Sequence, residues 1–331
     1  MAQAMNGAAA SSSGRILVTG ANGYVGCAFC TRARGTGMPV RECLRLPRVN
    51  YLGGDVSATA VGAVDGDTRW TLALEGCEVV LHLAARVHVM DESAADPLSE
   101  FRRVNVEGTL NLARQAAAAG VRRFIFVSSV KVNGEGTDAE RPFTAQQAPA
   151  PLDPYGISKM EAEQGLRQIA RETGMEVVIV RPPLVYGPGV KANFAALMRA
   201  VQRGLPLPLG AVTRNRRSLV ALDNLVDLLI TCIDHPAAAN QTFLVSDGED
   251  LSTTDLLRRM AQAMNAPARL LPVPPALLKL GAGLIGKGDM AQRLLGSLQV
   301  DISHTRETLG WTPPISVDEG LRRAAAGMVK V

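Results

Sequence analysis

No apolar stretch in this chain is long enough to cross a bilayer. The most hydrophobic segment, Leu270 to Gly286, is interrupted by Pro272, Pro274, Pro275 and Lys279, whereas a spanning helix needs about twenty nearly unbroken apolar residues. No transmembrane helix is predicted. Charge of one sign is also scarce: 35 Lys and Arg face 31 Asp and Glu, a net charge of +4, and the excess is not gathered into a Lys/Arg tract, which argues against nucleic acid as a partner. The five cysteines, Cys27, Cys30, Cys43, Cys77 and Cys232, are too few and odd in number for a disulfide framework and point to a reducing, cytoplasmic compartment. Cys27-x-x-Cys30 has no second pair or histidine cluster at ligand spacing, so packing is expected there and no metal site. Residues 1–13, rich in Ala, Ser and Gly, lack the basic flank and apolar core of a signal peptide and read as a disordered leader. There is no internal repeat.

What is present is organised around Arg15-Ile16-Leu17-Val18-Thr19-Gly20-Ala21-Asn22-Gly23-Tyr24-Val25-Gly26. A short apolar run, three glycines spaced three apart and a helix-compatible segment from Cys27 to Ala33 give the order strand, tight turn, helix. Glycine serves where the backbone takes positive φ or packs without a Cβ, and the helix start offers free N–H groups suited to a pyrophosphate. The spacing differs from G-x-G-x-x-G, and such a turn can also be purely structural.

Further apolar runs follow at Val40–Arg45, Val61–Val64, Glu78–Ala85, Phe124–Ser129 and Val177–Val180. Helical stretches separate them: one opens at an Asp96-Pro97 cap and stops at Gly120, and another runs from Tyr155 to Thr173 and closes at Gly174. This alternation predicts an α/β fold, a Rossmann-type doubly wound parallel sheet, because parallel neighbours need long crossovers. His82, inside the fourth run, reads as a core histidine. Ligands in such sheets bind beyond the carboxyl ends of the strands, so the glycine turn, Ala84-Ala85, Ser128-Ser129 and Arg181-Pro182 should converge on one crevice. About 20 residues beyond the glycines, where an acid would accept a ribose 2′-hydroxyl, stands Arg45, with Arg48 behind it. An arginine there favours a 2′-phosphate; the alternative is a solvated arginine after a surface strand. Past Arg181 the pattern loosens into helices over Asn193–Arg203 and Asp223–Ile233, a basic segment Arg214–Val220, and a capping box, Ser252-Thr253-Thr254-Asp255, before the helix Leu256–Met264.

Tyr155 and Lys159 lie four apart on that predicted helix and so share a face. Taken alone, such a pair can be a solvent-facing one. As a proton-transfer unit it would require the tyrosine, ordinarily near pKa 10, to approach 7, about 4 kcal/mol of phenolate stabilisation, which a lysine cation and a helix N-terminus can provide. Ser129 could bond the same substrate oxygen.

With the glycine turn and the alternating order, these residues resemble the extended short-chain dehydrogenase/reductases of the NAD-dependent epimerase/dehydratase type. The resemblance runs from about Arg15 to Arg323. It is greatest to bacterial UDP-4-keto-6-deoxy-N-acetylhexosamine 4-reductases and UDP-glucose 4-epimerases. It implies Ser129, Tyr155 and Lys159 as catalytic residues, with Lys159 also holding the nicotinamide ribose. Gly20, Asn22, Gly23, Tyr24, Val25, Gly26, Arg45, Leu83, Ala84, Ala85 and Pro182 are implied as cofactor contacts, and Lys131, Asn193 and Arg217 join Ser129 as contacts to a UDP-sugar. The implied organisation is a nucleotide domain over 14–181 plus about 220–246, with a smaller mixed α/β C-terminal substrate lobe over 182–219 and 247–331.

Three departures refine the expectation. Arg45 replaces the usual Asp of epimerases, favouring NADP(H) while leaving NAD(H) possible. Lys131-Val132-Asn133-Gly134 replaces a common Tyr-Gly and alters the sugar pocket. Val130 and Lys131 stand where 4,6-dehydratases carry Asp-Glu, which disfavours dehydration. The first expectation is therefore a reductase acting on the 4-keto group of a UDP-linked, 6-deoxy, N-acetylated hexose in O-antigen or other surface-polysaccharide synthesis. A UDP-hexose 4-epimerase with bound NAD comes second and a non-catalytic dinucleotide-binding scaffold third. A homodimer is compatible with the resemblance.

Overall fold

Short β-branched runs alternating with amphipathic stretches produce, in the computed structural model, a parallel sheet with helices on both faces. The structure describes residues 14–45, 58–87, 96–138, 141–284, 286 and 288–328; the expected leader and Arg48 lie outside them. The first half contains β1 (Arg15–Thr19), α1 (Tyr24–Gly35), β2 (Val40–Leu44), β3 (Ala58–Ala60), α2 (Thr71–Leu74), β4 (Cys77–His82), α3 (Pro97–Arg102), α4 (Thr109–Ala118), β5 (Arg123–Val127), α5 (Pro154–Thr173) and β6 (Glu176–Arg181). After these come β7 (Leu184–Tyr186), α6 (Ala192–Gln202), β8 (Arg217–Ala221), α7 (Leu222–Asp234), β9 (Thr242–Leu244), β10 (Asp250–Leu251) and α8 (Thr253–Ala263). The chain continues through α9 (Pro275–Leu284), α10 (Gly288–Leu295), α11 (Ser303–Leu309) and α12 (Val317–Ala326).

The main sheet has seven strands in the order β3-β2-β1-β4-β5-β6-β9, all pairings parallel. The order reverses direction between β1 and β4, and a crevice opens at such a switch point beyond the strand ends. Alternation along the strands divides the core. Ile16, Val18, Val79, Leu81, Ile125, Val178 and Val180 pack with α1 and α7 on one face. Leu17, Val80, Phe124, Phe126, Val177 and Ile179 pack with α4 and α5 on the other. Strands buried on both faces read as continuous apolar runs for this reason. A second sheet, β10-β8-β7, carries a third core with α6, α8 and α12.

Two expected elements take a different form. The run Val61–Val64 is not a strand: pairing to the sheet edge stops at Ala60, and the backbone turns at Gly62, φ +70°. The single helix expected from Asp96 to Gly120 is broken by a π-helical turn, Arg103–Gly108. Its Gly108 packs so closely that an added Cβ would lie 2.9 Å from the Val64 backbone. That turn delivers buried Asn105, whose amide donates to the Arg86 carbonyl and to Ser158 Oγ, 3.0 Å each. Such insertions often mark functional segments. The caps behave as expected. Asp96 accepts from Ser99 N–H, Ser252 from Asp255 N–H, and Gly174 ends α5 at φ +76°. No helix among the described residues is long and apolar enough to cross a membrane.

Candidate active site

The glycine turn is built by contact rather than by side chains. Gly20 sits at φ +65°, where an added Cβ would lie 2.8 Å from the Ala84 nitrogen, so the turn presses against the end of β4. Gly26 is more constrained still: its Cβ would fall 2.1 Å from the Gly20 carbonyl oxygen. The same oxygen accepts from Gly23 N–H at 2.8 Å, closing the turn onto the start of α1. Thr19 backs it from below, its Oγ1 accepting from Leu83 and Ala84 N–H at 3.2 Å each.

These residues line a cavity of about 510 Å³, whose wall includes Asn22, Gly23, Tyr24, Val25, Gly26, Arg45, Leu83, Ala84 and Ala85. The expected cofactor contacts other than Lys159 and Pro182 are thus brought together. Pro182 is buried, and its carbonyl accepts from Val130 N–H at 3.0 Å, tying the turn after β5 to the end of β6. A turn that no Cβ can enter, facing a helix N-terminus, fits the diphosphate of a dinucleotide. Arg45 is exposed at the far end of the cavity, one residue past β2. A second cavity of about 700 Å³ shares Asn22, Gly23 and Tyr24 and extends to Lys191, Asp223 and Arg323. The Tyr24 hydroxyl is buried there with no hydrogen-bond partner among the described residues, and burial, then Asp223, raises its pKa.

Beyond β5, Ser129 caps a short helical turn, its Oγ accepting from Lys131 N–H at 3.3 Å. Tyr155 enters on the first turn of α5, which Asp153 caps through Gly156 N–H at 2.6 Å. Burial first and Asp153 second push the tyrosine up to about 12, with the Ser129 hydroxyl opposing them. This reverses the expected direction. The physical reason is that the lysine cation is directed elsewhere: Lys159 Nζ lies 4.1 Å from the centroid of the Phe126 ring, a cation–π contact. Burial, opposed by Glu163, lowers Lys159 to about 7. His82 is the expected core histidine, bonded to Thr19 Oγ1 at 2.7 Å and Thr109 Oγ1 at 2.9 Å. Burial, then Lys159, lowers it to about 3.

The proposed substrate contacts are not gathered to the same degree. Lys131 forms ion pairs with Glu135 at 3.1 Å and with Asp153, so it braces the α5 cap. Asn193 is exposed on the first turn of α6. Arg217, at the start of β8, donates to the Gly296 carbonyl at 3.2 Å, and burial, then Arg293, lowers its pKa.

A buried network beneath the site was missed in the sequence. Glu163, fully buried, accepts from Ser128 Oγ at 2.6 Å and from Arg181 Nε and Nη2 at 2.9 and 2.6 Å. Arg181 Nη1 in turn reaches Asn133 Oδ1 at 3.0 Å. The signal was available: Tyr155, Lys159 and Glu163 repeat every four residues on one helix face. Among the described residues no group of His, Cys, Asp and Glu is arranged to hold a metal, and all five cysteines are free, four of them buried and Cys27 exposed.

Comparison with known proteins accords with this architecture. A UDP-glucose 4-epimerase of Vibrio cholerae is 51% identical over 316 residues, covering 95% of each chain. A UDP-glucose 4-epimerase of Mycolicibacterium smegmatis is 30% identical over 323 residues, covering 93% of this chain and 96% of its own. The crystal structure of UDP-glucose 4-epimerase from Thermotoga maritima with UDP-glucose superposes with a TM-score of 0.74 at 22% identity, covering 95% of this chain and 98% of that one. Other solved neighbours of the same fold hold NAD or NADPH. The pattern of the NAD dependent epimerase/dehydratase family matches residues 16–246, and the chain is an enzyme of that family.

Proposed function

We propose that the protein is a UDP-hexose 4-epimerase, interconverting configuration at carbon 4 of a UDP-linked glucose or N-acetylglucosamine. The observation that carries this reading is the 51% identity, over 95% of both chains, to the Vibrio cholerae UDP-glucose 4-epimerase. Beside it stands a glycine-lined cavity at the carboxyl ends of β1 and β4, with Ser129 just beyond the end of β5 and Tyr155 on the first turn of α5. The reductase expected first from the sequence becomes the second reading.

In this mechanism the turn Gly20–Gly26, the α1 N-terminus and the β4 end hold the dinucleotide diphosphate, and Lys159 is the candidate for its ribose. The bound nicotinamide supplies a reversible hydride acceptor. Tyr155 takes the proton from the carbon-4 hydroxyl and returns it once the 4-keto sugar has presented its other face, while Ser129 donates to the same oxygen. Tyr155 must ionise for the first step, and a cation brought beside its hydroxyl lowers its pKa for that purpose. Lys159, four residues on along the same face of α5, is the group placed for that role in its protonated form. Arg217 offers a bidentate fork to the substrate diphosphate.

Arg45 supports the second reading, a 4-ketoreductase, because a cation on the cavity wall beyond β2 suits the 2′-phosphate of NADP(H). A reductase must exchange its nucleotide every cycle, whereas an epimerase gains by retaining it. Incubation with UDP-glucose and UDP-N-acetylglucosamine, without added nucleotide, should yield the carbon-4 epimers. Net oxidation of NADPH with UDP-4-keto sugars, and no interconversion in the first assay, would move the reductase to first place.

A further inference from the structure

Ser129 stands in a segment that is held from beneath at both ends. On its N-terminal side Ser128 donates its N–H to the Val180 carbonyl at 2.7 Å and its hydroxyl to Glu163 Oε1 at 2.6 Å. On its C-terminal side Val130 N–H reaches the Pro182 carbonyl at 3.0 Å. Asn133 Oδ1 accepts from Arg181 Nη1 at 3.0 Å, and the Asn133 amide donates to the Thr144 carbonyl at 3.0 Å. Arg181 and Glu163 join the two ends through a bidentate pair, Nε to Oε1 at 2.9 Å and Nη2 to Oε2 at 2.6 Å. The carboxylate belongs to α5, about one turn beyond Lys159 and two beyond Tyr155. One buried side chain therefore ties the segment of Ser129 to the helix of Tyr155 and Lys159.

Stability alone does not account for this pair. Glu163 is 0% and Arg181 2% exposed, and two charges taken so far from water cost about as much as their attraction returns. Apolar side chains of similar volume would serve the core equally well. What the ions add is direction, because a guanidinium fork on a carboxylate holds one geometry, whereas apolar contacts alone let neighbouring backbones shift. A displacement of about 1 Å at a reacting group can cost on the order of a hundredfold in rate. Glu163 also accepts from Arg167 Nη2 at 3.1 Å, and Arg167 donates to Thr242 Oγ1 of β9 at 3.0 Å, so the carboxylate is itself fixed from a second side.

We propose that Glu163 is a positioning residue, which sets the Ser129 hydroxyl relative to Tyr155 and Lys159 by gripping Ser128 directly and Asn133 through Arg181. The role rests on the reading in which Ser129, Tyr155 and Lys159 carry the chemistry, and it holds alike for an epimerase and a reductase. The charge of Glu163 acts beside its geometry. Around the Lys159 ammonium stand the Phe126 ring of β5, His82 of β4, kept neutral by burial, Tyr155 one turn earlier on α5 and the Glu163 carboxylate one turn later. Glu163 is the acid of this set, and it opposes the burial that strips the lysine of its proton.

The test compares the parent with Ser128→Ala, Glu163→Gln and Tyr155→Phe, each assayed well below its melting temperature and normalised to folded protein. The readouts are kcat and KM for UDP-glucose interconversion, or for NADPH oxidation by a UDP-4-keto sugar where the first is absent, and dinucleotide affinity by calorimetry. Ser128→Ala removes one hydrogen bond and no charge. Its kcat should fall by about fivefold or more, with KM and dinucleotide affinity within about twofold of the parent. Glu163→Gln keeps the shape and removes the charge. Its kcat should fall by about tenfold or more, and the alkaline limb of its pH profile should move down by about one unit, because Lys159 then gives up its proton sooner. Ser128→Ala should leave that limb in place. Parental kcat in Ser128→Ala, or an unmoved limb in a folded Glu163→Gln, overturns the proposal, since a purely structural network changes only the amount of folded protein. Ser128→Ala leaves the buried ion pair intact and decides the matter even where Glu163→Gln does not fold. Tyr155→Phe keeps the two levels apart: near-parental turnover there removes the reading beneath the proposal, whereas a large loss there beside parental kcat in Ser128→Ala removes the positioning role alone.

Discussion

Replacing Lys159 by methionine tests the electrostatics of the site through stability rather than turnover. In the folded protein burial lowers this lysine from its ordinary 10.5 to about 7, with Glu163 opposing the shift. Between those values the unfolded chain holds a proton that the folded chain has released. Stability therefore rises with pH across this window and is flat outside it. Each pH unit is worth about 1.4 kcal/mol, so the contribution between pH 7 and pH 10 is about 4 kcal/mol. Methionine keeps the length and the contact with the Phe126 ring while removing the titrating group. Urea unfolding of parent and Lys159→Met at pH 7, 8, 9 and 10 isolates the term, since every other group cancels in the difference. The variant should be the more stable protein at pH 7, and the parent should gain on it by about 4 kcal/mol as pH rises to 10. Parallel stability curves would show that the ammonium is not desolvated as the structure has it, and would refute the argument.

Glu163→Gln leaves Arg181 buried without its counter-charge and should cost about 3–5 kcal/mol in urea unfolding; a loss under about 1 kcal/mol would mean the network is not a unit. Tyr155→Phe removes the transferable proton and should lower turnover about a hundredfold or more, and near-normal turnover would exclude Tyr155 from the chemistry. Arg45→Asp should invert a roughly tenfold preference for NADPH over NADH, measured as binding at low and high ionic strength. Purification with NAD bound, indifferent to added NADPH, would defeat the Arg45 argument and strengthen the epimerase reading. Arg217→Ala should weaken UDP-sugar binding by about tenfold or more while sparing the dinucleotide, and equal losses for both ligands in calorimetry would count against that assignment.

Tyr155, Lys159 and the glycines were legible because each signal is local. A turn that must pack without Cβ atoms, or a pair four apart on a helix, is written within a dozen residues. The parallel order was legible because strands buried on both faces leave continuous apolar runs. Where the local signal was weak, position slipped. Val61–Val64 is apolar because Val61 and Val64 line the cavity, and the paired strand ends just before it. The break in the helix after Asp96 follows from the close approach of Gly108 to Val64, a contact 44 residues apart in sequence.

What the sequence by itself determined is therefore the class of fold, the glycine turn and the identity of the Ser129, Tyr155 and Lys159 candidates. Tertiary structure alone decided their electrostatics. Tyr155 stands at about 12 rather than near 7 because burial and Asp153 outweigh Ser129. Lys159 lies over Phe126, a residue of β5. Ser128 follows β5, Glu163 lies on α5 and Arg181 ends β6, and they meet only when these elements pack together. A pKa depends on every charge and on all the water excluded within a few ångströms, and which residues those are is set by the packing of the whole sheet.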